Sequence, residues 1–521
     1  MFGVSSRKTR TVTHMNNAEA AELLADLDLG SGVAETDNLL EAARIETSVF
    51  DDLIADRVDL IPGTKGSGKT ALYRILVDFL PDTLLRHRRV VLAHGVSTRQ
   101  DTVFLAFKEQ FDKLDESDFV DFWCVYLASL ANEQFIRNLT FDGYLHDCST
   151  QVERFRIAYR NANIPDLDRP RTLKEIISWS LAVVKKLKPK VVWKAPEDIG
   201  QFELQFGESE EAPTRRQQSE PKLPLLINEL VDALTAVLNA SDLSIWLMID
   251  RLDELFARRS STERKALRAL LTTTRLFSSE RIRAKIFLRD DILEQIVAGD
   301  GFTALSHVAS RRSDTLRWTE DQLLSMVVRR IFANSRFQKA FRPDEKRLLH
   351  SIEYQKQLFY QIFEDTVYRP PNQSPTMRWI YNHVKDGRGV VTPRDVINLV
   401  ARAGQWQRDE YRRTPEAETA RLISGKAVLY GLSELSKDKR TLYLEAEFPH
   451  KWKLISKFVG GGSEFSERAL RRIMGTKWQE VTDDLVSMGV LERATRKGSR
   501  TFKIPFVYRA GLECTQKFVA T

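Results

Sequence analysis

Residues 63–70 read Gly63-Thr-Lys-Gly-Ser-Gly-Lys69-Thr70, between a short apolar run at 58–61 and a helix-like segment at 71–79. The spacing matches G-x-x-x-x-G-K-[ST], and its context of strand, glycine-rich turn and helix is the one in which that pattern binds phosphate. Glycines let backbone N–H groups curl around an anion, because a Cβ would block the turn or the approach. We therefore predict a nucleotide-binding turn rather than a chance glycine-rich loop.

The expected ligands are ATP and Mg²⁺. Lys69 supplies a mobile charge for the β- and γ-phosphates, and the Thr70 hydroxyl is placed to ligate the metal. The predicted nucleotide-binding residues are Gly63, Thr64, Lys65, Gly66, Ser67, Gly68, Lys69, Thr70 and Ala71.

A second apolar run, 243–249, ends at Asp250, and an acid at the end of a buried strand is suited to hold Mg²⁺ opposite Thr70. Many ATPases with an inserted strand place a glutamate directly after this aspartate, but Arg251 occupies that position here. Asp253 and Glu254 are the remaining candidates to orient the attacking water, with Glu254 preferred. The alternative is that both acids only cap the next helix or pair with neighbouring arginines.

Four further arginines are candidates for contacts with a nucleotide. Arg289 ends the strand-like run 284–289 and would contact the γ-phosphate, unless it only pairs with Asp290 or Asp291. Arg394 follows Thr392-Pro393, a helix cap and first-turn proline, and a cation there opposes the helix dipole, which suggests a role. Arg311 and Arg312 are candidates to act on the nucleotide of a neighbouring subunit.

Bulk composition indicates a globular protein without a membrane segment. The 42% apolar and 29% charged residues are ordinary for a folded chain, and the net charge of +7 is too small to identify a partner. Three cysteines without C-x-x-C spacing favour a reducing compartment. No apolar signal segment follows Met1 and no run is long enough to span a bilayer, so we expect a cytoplasmic protein.

The element order predicts an α/β fold with a parallel sheet. The strands at 89–94 and 243–249 lie about 150 residues apart, far more than a crossover needs, so a helical insertion is expected. The predicted divisions are an N-terminal arm (1–50), a P-loop core (51–310) with a helical insertion (97–187) and a flexible loop (196–224), a helical lid (311–412) and a C-terminal domain (413–521).

Two helices, 465–474 and 478–488, and a hairpin predict a winged helix in the C-terminal domain. Its basic residues would neutralise phosphates of double-stranded DNA. The alternative is a protein-binding module with a solvated hairpin. The candidate contacts are Lys477, Gln479, Arg493, Arg496, Lys497, Arg500 and Lys503.

Together, the segments 34–40, 63–71, 250–254, 285–291 and 392–395 resemble a family of bacterial P-loop ATPases encoded in antiphage-defence and mobile-element loci. These look related to STAND and KAP ATPases and to origin-recognition initiators, and the D-x-x-D-E form at 250–254 is similar to that of STAND proteins. The resemblance implies a nucleotide-gated switch or assembly subunit that acts with a separate effector from a neighbouring gene, with a homo-oligomer as a further expectation.

Two other functions remain open from the sequence alone. One is an ATP-controlled DNA-binding initiator or loader that uses the winged helix. The other is a nucleotide-binding scaffold without hydrolysis, which Arg251 would permit. No nuclease, protease or deaminase motif occurs in the chain.

Overall fold

The computed structural model describes residues 15–94, 107–162, 164, 172–187, 223–250, 260–277, 279–297, 310–369 and 373–520. The chain divides into two compact units. The sheet unit comprises 46–64 and 69–316, and the helical unit comprises 1–45, 65–68 and 317–521. The tip of the glycine-rich turn therefore belongs to the helical unit, although the strand before it and the helix after it belong to the sheet unit.

The sheet unit is built on four parallel strands whose spatial order is Leu60–Gly63, Ile282–Arg289, Ser244–Ile249 and Val90–His94. The strand Ile282–Arg289 thus separates the strand that enters the turn from the strand that ends before Asp250. The central strands are almost continuously apolar and buried, as expected for a parallel sheet covered on both faces. The α/β class and the parallel sheet predicted from the sequence are confirmed.

An extended segment, 311–316, continues the sheet beyond Leu60–Gly63. The Asp59 amide donates to the Arg311 carbonyl at 2.7 Å, and the Leu316 amide donates to the Pro62 carbonyl at 2.9 Å. A parallel bridge joins Leu60 to Arg312. Because this segment covers the outer edge of the strand that leads into the turn, that strand has hydrogen-bonding neighbours on both sides.

Helices of the sheet unit pack around this sheet. The aromatic residues between 107 and 137 lie in its core, with Phe122 and Trp123 fully buried. The Trp123 indole donates to the Ala266 carbonyl at 2.8 Å. The described helices are Ser48–Ile54, Lys69–Arg74, Pro81–Arg88, Lys108–Phe111, Glu116–Ala131, Asn138–Phe141, Ser149–Asn161, Leu173–Leu187, Leu223–Ser241, Ser261–Thr273 and Asp290–Val297. The predicted flexible loop, 196–224, lies outside the described residues up to 222, and its last two residues begin the helix Leu223–Ser241.

The strand Ile282–Arg289 of the sheet unit contains a buried lysine. Lys285 is fully buried, and its ammonium donates to Asp56 at 2.5 Å, to Asp59 at 2.7 Å and to the Val58 carbonyl at 2.8 Å. It also lies 4.6 Å from the centre of the Trp246 ring. All three ammonium hydrogens are thereby satisfied, which is the condition for burying a charge at tolerable cost.

Two long helices, Pro393–Arg413 and Gly425–Lys439, form the centre of the helical unit, and Asn17–Ala25 packs on the first of them. The predicted boundary at 412/413 falls in the last turn of the first helix. The unit's other helices are Glu320–Ala333, Ser335–Phe341, Glu345–His350, Ile352–Ile362, Thr376–His383, Pro449–Ile455, Glu467–Met474, Trp478–Ser487 and Phe506–Arg509.

Gly431 permits the close approach of these two helices. A Cβ at this position would lie 2.4 Å from the Leu399 carbonyl oxygen, a backbone atom that cannot move aside. We expect Gly431→Ala to lower the free energy of unfolding by about 1–2 kcal/mol, because the clash outweighs the better helix propensity of alanine. Urea unfolding checks this, with Ser433→Ala in the same helix as control; equal midpoints for both variants would contradict the packing argument.

The C-terminal sheet has the order Thr515–Val519, Gly462–Ser466, Ser499–Lys503 and Glu492–Arg496. In the chain, the strands Gly462–Ser466 and Glu492–Arg496 are separated by two helices, Glu467–Met474 and Trp478–Ser487. The predicted helix 465–474 is thus shorter at its start, because Phe465 and Ser466 pair with Phe502 and Thr501 as a strand. None of the helices that the structure describes combines the length and apolar character that crossing a bilayer requires.

Candidate functional site

The turn after strand Leu60–Gly63 has the backbone that an anion-binding loop needs. Gly66 and Gly68 adopt φ angles of +79° and +100°, which side-chain-bearing residues rarely take. The helix Lys69–Arg74 follows at once and begins with the half-buried Lys69 and Thr70, followed by Ala71. The glycines of the motif therefore lie where conformational freedom is required.

Lys69 folds back over the turn. Its ammonium donates to the Gly63 carbonyl at 2.8 Å and to the Thr64 carbonyl at 2.9 Å. A lysine held in this way keeps its charged ammonium beside the backbone of the turn. A phosphate oxygen there would be a stronger acceptor than either carbonyl, because both partners would be charged.

Two hydroxyls of the turn are buried without hydrogen bonds. Thr64 Oγ1 and Ser67 Oγ have no partner among the residues that the structure describes, and Ser67 is fully buried. Buried polar atoms are normally paired, so these two hydroxyls keep hydrogen-bonding capacity for a bound group. A phosphate in the turn would use this capacity.

Residues far along the chain contact the tip of the turn. The Trp318 indole donates to the Ser67 carbonyl at 2.7 Å, and the Lys65 ammonium pairs with the Glu447 carboxylate. The Glu447 side chain is only 5% exposed, so this carboxylate is held against the loop. Sequence analysis missed both partners, since neither lies in a recognisable motif.

The start of helix Pro393–Arg413 also lies against the tip. A Cβ built on Gly66 would lie 3.4 Å from Thr392 Oγ1 and 3.5 Å from Arg394 Cβ. Arg394 itself donates from Nε to the Gly32 carbonyl at 2.8 Å. The helix that carries the predicted lid arginine is thus adjacent to the turn, and Thr392 caps it as predicted, accepting from the Asp395 amide.

Asp250 directly follows the strand Ser244–Ile249 and is 2% exposed. Its charge is close enough to Tyr73, one turn beyond Thr70, to act on it: burial first, and then Asp250, raise the pKa of the Tyr73 phenol far above its usual range. Tyr73 therefore stays neutral. This effect places the acidic strand end near the helix that follows the turn.

Arg289 is the register partner of Gly63, so the strand order places it beside the entry to the turn. Its guanidinium makes a bidentate pair with Asp291, at 2.9 Å from Nε and 2.8 Å from Nη2. This is the alternative that the sequence left open. A role toward the nucleotide would require Arg289 to exchange this carboxylate for a phosphate.

Arg311 contacts Asp56 and Asp59, the same two carboxylates that bind the buried Lys285. Its Nε donates to Asp59 at 2.5 Å, and its Nη2 lies 3.1 Å from Asp56. Asp253 and Glu254, the predicted water-orienting acids, lie outside the described residues.

His94 is a further polar residue at a strand end that the sequence analysis passed over. It ends the strand Val90–His94, opposite Met248 on the strand that leads to Asp250. Burial lowers the pKa of its imidazole, with Asp78 opposing the shift, so the neutral ring dominates at pH 7. The available signal was its position at the carboxyl end of a buried strand.

The predicted nucleic-acid residues divide between hairpin and helix. Arg493 pairs with Asp483 at 2.7 Å, Arg496 with Glu464 at 3.3 Å and Arg500 with Glu467 at 3.5 Å. The remaining residues are Lys477 and Gln479 around the start of the second helix, Lys497 at the hairpin turn and Lys503 in its second strand.

Comparison with known proteins adds no assignment: no family model matches the chain, and no curated protein matches it significantly.

The donor set of the turn fits a nucleotide with magnesium. Magnesium in nucleotide sites is bound by one or two protein oxygens together with phosphates, which Thr70 and Asp250 can supply. A cage of three or more metal-ligating His, Cys, Asp or Glu side chains does not occur within the described ranges. Any divalent ion at this site would therefore depend on the phosphates for most of its ligands.

Proposed function

We propose that the protein is an ATP-binding switch whose glycine-rich turn holds the triphosphate and whose helical unit responds to it. The observation that carries this proposal is the turn itself: two left-handed glycines, an overlying lysine and two orphaned hydroxyls between a buried strand and a helix. The inserted strand Ile282–Arg289, between the turn strand and the acidic strand, supports the P-loop ATPase class with an additional strand.

In this proposal Lys69 and the backbone of Gly63–Thr70 bind the phosphates, while Thr70 and Asp250 hold magnesium. Magnesium supplies charge neutralisation on the phosphates when bound. Hydrolysis is part of the proposal, with Arg289 and Arg394 as candidates to stabilise charge and Glu254 or Asp253 to orient water. A non-hydrolysing scaffold is the competing outcome.

The response of the helical unit follows from the contacts at the tip. Lys65 is paired with Glu447, and phosphates bound in the turn would compete for the same ammonium. The Trp318 indole contacts Ser67, and the first turn of helix Pro393–Arg413 lies against Gly66, so both contact the tip of the turn. Nucleotide occupancy therefore changes the partners of residues that belong to the helical unit, which is the differential interaction that a ligand-driven switch requires.

The motif resemblance supports placing such a switch in bacterial antiviral defence, with the effector activity in a separate protein. Single-turnover ATP hydrolysis and native mass spectrometry, each with and without ATP, test the switch. Binding without turnover selects the scaffold, whereas no binding by the wild-type chain contradicts the proposal.

Glu447→Gln is expected to tighten ATP binding about fivefold, because it removes the carboxylate that competes with phosphate for the Lys65 ammonium and a partly exposed ion pair contributes about 1 kcal/mol. Isothermal titration with Mg-ATP measures the change. Glu434→Gln is the matched control, since its carboxylate also pairs with a lysine, Lys437, at 2.6 Å, but far along the chain from the turn residues. Equal affinities for the two variants would show that Glu447 does not compete with phosphate.

A further inference from the structure

The C-terminal sheet and the segments between its strands, residues 462–519, form a module with two longer helices that differ in charge. The acidic helix, Trp478–Ser487, exposes Glu480, Asp483 and Asp484. Each of these acids pairs with a cation: Glu480 with Lys477 at 3.9 Å, Asp483 with Arg493 at 2.7 Å, and Asp484 with Lys451. Phosphates approaching this helix would meet three carboxylates whose cations are already engaged.

The arginine helix, Glu467–Met474, has the opposite character. Ala469, Leu470 and Met474 are buried, whereas Arg468, Arg471 and Arg472 are exposed. The spacing i, i+3, i+4 puts the three arginines on one face, about 5–6 Å apart at their Cβ atoms. None of them has a carboxylate within salt-bridge distance among the residues that the structure describes.

The hairpin extends this basic face. Arg500 reaches Glu467 at the start of the arginine helix, at 3.5 Å. Arg496 lies over the Phe518 ring at 4.4 Å and reaches Glu464, and Lys497 is exposed at the hairpin turn with φ +48°. Glu464 pairs with Arg496, and Glu467 pairs with Arg500. Neither carboxylate therefore neutralises the remaining cations of this face, which are Arg468, Arg471, Arg472 and Lys497.

We propose that this basic face, the arginine helix with the hairpin turn, binds the phosphate backbone of duplex nucleic acid. Guanidiniums bind phosphate in bidentate fashion and suit this role better than a point charge. The carboxylates of the acidic helix make it unsuited to bind phosphates, although Lys477 and Gln479 around its start are the candidates from the sequence. Backbone contacts carry no sequence information, so binding is expected to be non-specific.

Two other polyanionic partners fit the face less well. Single strands are held by stacking on exposed aromatic rings, but the ring beside this face, Phe518, is already covered by Arg496. Basic membrane-binding surfaces present large apolar side chains for insertion, and the exposed residues of the arginine helix are charged. A duplex backbone needs only the cations that are present.

The test is duplex binding by the full chain at several salt concentrations, read by fluorescence anisotropy of a labelled DNA duplex of mixed sequence. The variant carries Arg468→Glu, Arg471→Glu and Arg472→Glu. The control carries Lys339→Glu, Lys346→Glu and Lys426→Glu, three exposed lysines outside the module that give the same change in net charge.

Loss of three phosphate contacts should reduce the slope of log affinity against log salt by about 2.7, so that a fourfold rise in salt costs the variant about 40-fold less affinity than it costs the wild type. The control should keep the wild-type slope. Equal slopes for both variants, absence of duplex binding by the wild type, or equally tight binding of polyglutamate would overturn the proposal. Lys69→Ala should leave duplex binding intact, which separates this surface from the nucleotide site.

Discussion

Lys69→Ala is expected to weaken Mg-ATP binding about 100-fold or more. The ammonium makes two hydrogen bonds across the turn, at 2.8 and 2.9 Å, and in the nucleotide complex both would go to phosphate oxygens. Hydrogen bonds to charged groups contribute about 1.5–3 kcal/mol each, so the loss of two amounts to at least about 3 kcal/mol. Isothermal titration measures the change directly.

Controls separate this effect from a general loss of positive charge. Lys108→Ala removes an exposed cation of the same unit and should bind ATP like the wild type. The loss for Lys69→Ala should be larger for ATP than for AMP, because only the triphosphate reaches the lysine. Asp250→Ala should weaken binding in magnesium but not in EDTA. Unchanged titrations for both Lys69→Ala and Asp250→Ala would refute nucleotide binding at the turn.

Lys285→Met is expected to lower the free energy of unfolding by about 3 kcal/mol. Methionine preserves the packing on Trp246, but the substitution removes the cation shared by Asp56 and Asp59. Removing one partner of a buried pair costs about 3–5 kcal/mol, because the remaining charge is uncompensated. We expect the lower end of this range, since Arg311 still contacts both acids and they are partly exposed.

The unfolding temperature should fall by about 6–10 °C in a circular dichroism melt. Arg160→Met is the matched control, because it breaks an ion pair with Glu153 whose two side chains are more than half exposed, and it should change stability by less than about 1 kcal/mol. The double variant Lys285→Met with Asp59→Asn should regain part of the loss. A stability of Lys285→Met equal to that of Arg160→Met would contradict the account of the cluster.

The parts of the site that sequence analysis found are those with local signals. Gly63–Thr70 is recognisable because its spacing is contiguous, and Asp250 and Arg289 are recognisable because each ends an apolar run. Thr392 and Pro393 predict the start of a helix, and the structure has the helix Pro393–Arg413 there. Each of these signals involves only a few neighbouring residues, so the sequence suffices.

The parts that it missed depend on pairings between distant segments. Glu447 lies 382 residues from Lys65, and no local pattern marks it as a partner of the turn. The strand Gly462–Ser466 was assigned partly to a helix, because Phe465 continues the apolar spacing of the helix that follows, whereas its hydrogen bonds go to a strand some 36 residues later. The three arginines at 468, 471 and 472 were visible, but their freedom from acids required the neighbouring elements in three dimensions.

The contacts at the tip of the turn can form only late in translation, because their partners lie far along the chain. The strand and helix on either side of the turn leave the ribosome early, whereas Trp318, Thr392 and Glu447 are synthesised much later. Domains generally fold from the amino end as they emerge. A nascent chain therefore presents its glycine-rich loop without the indole, the helix start or the carboxylate that surround it in the folded protein, and the loop gains this environment only after residue 447 has been synthesised.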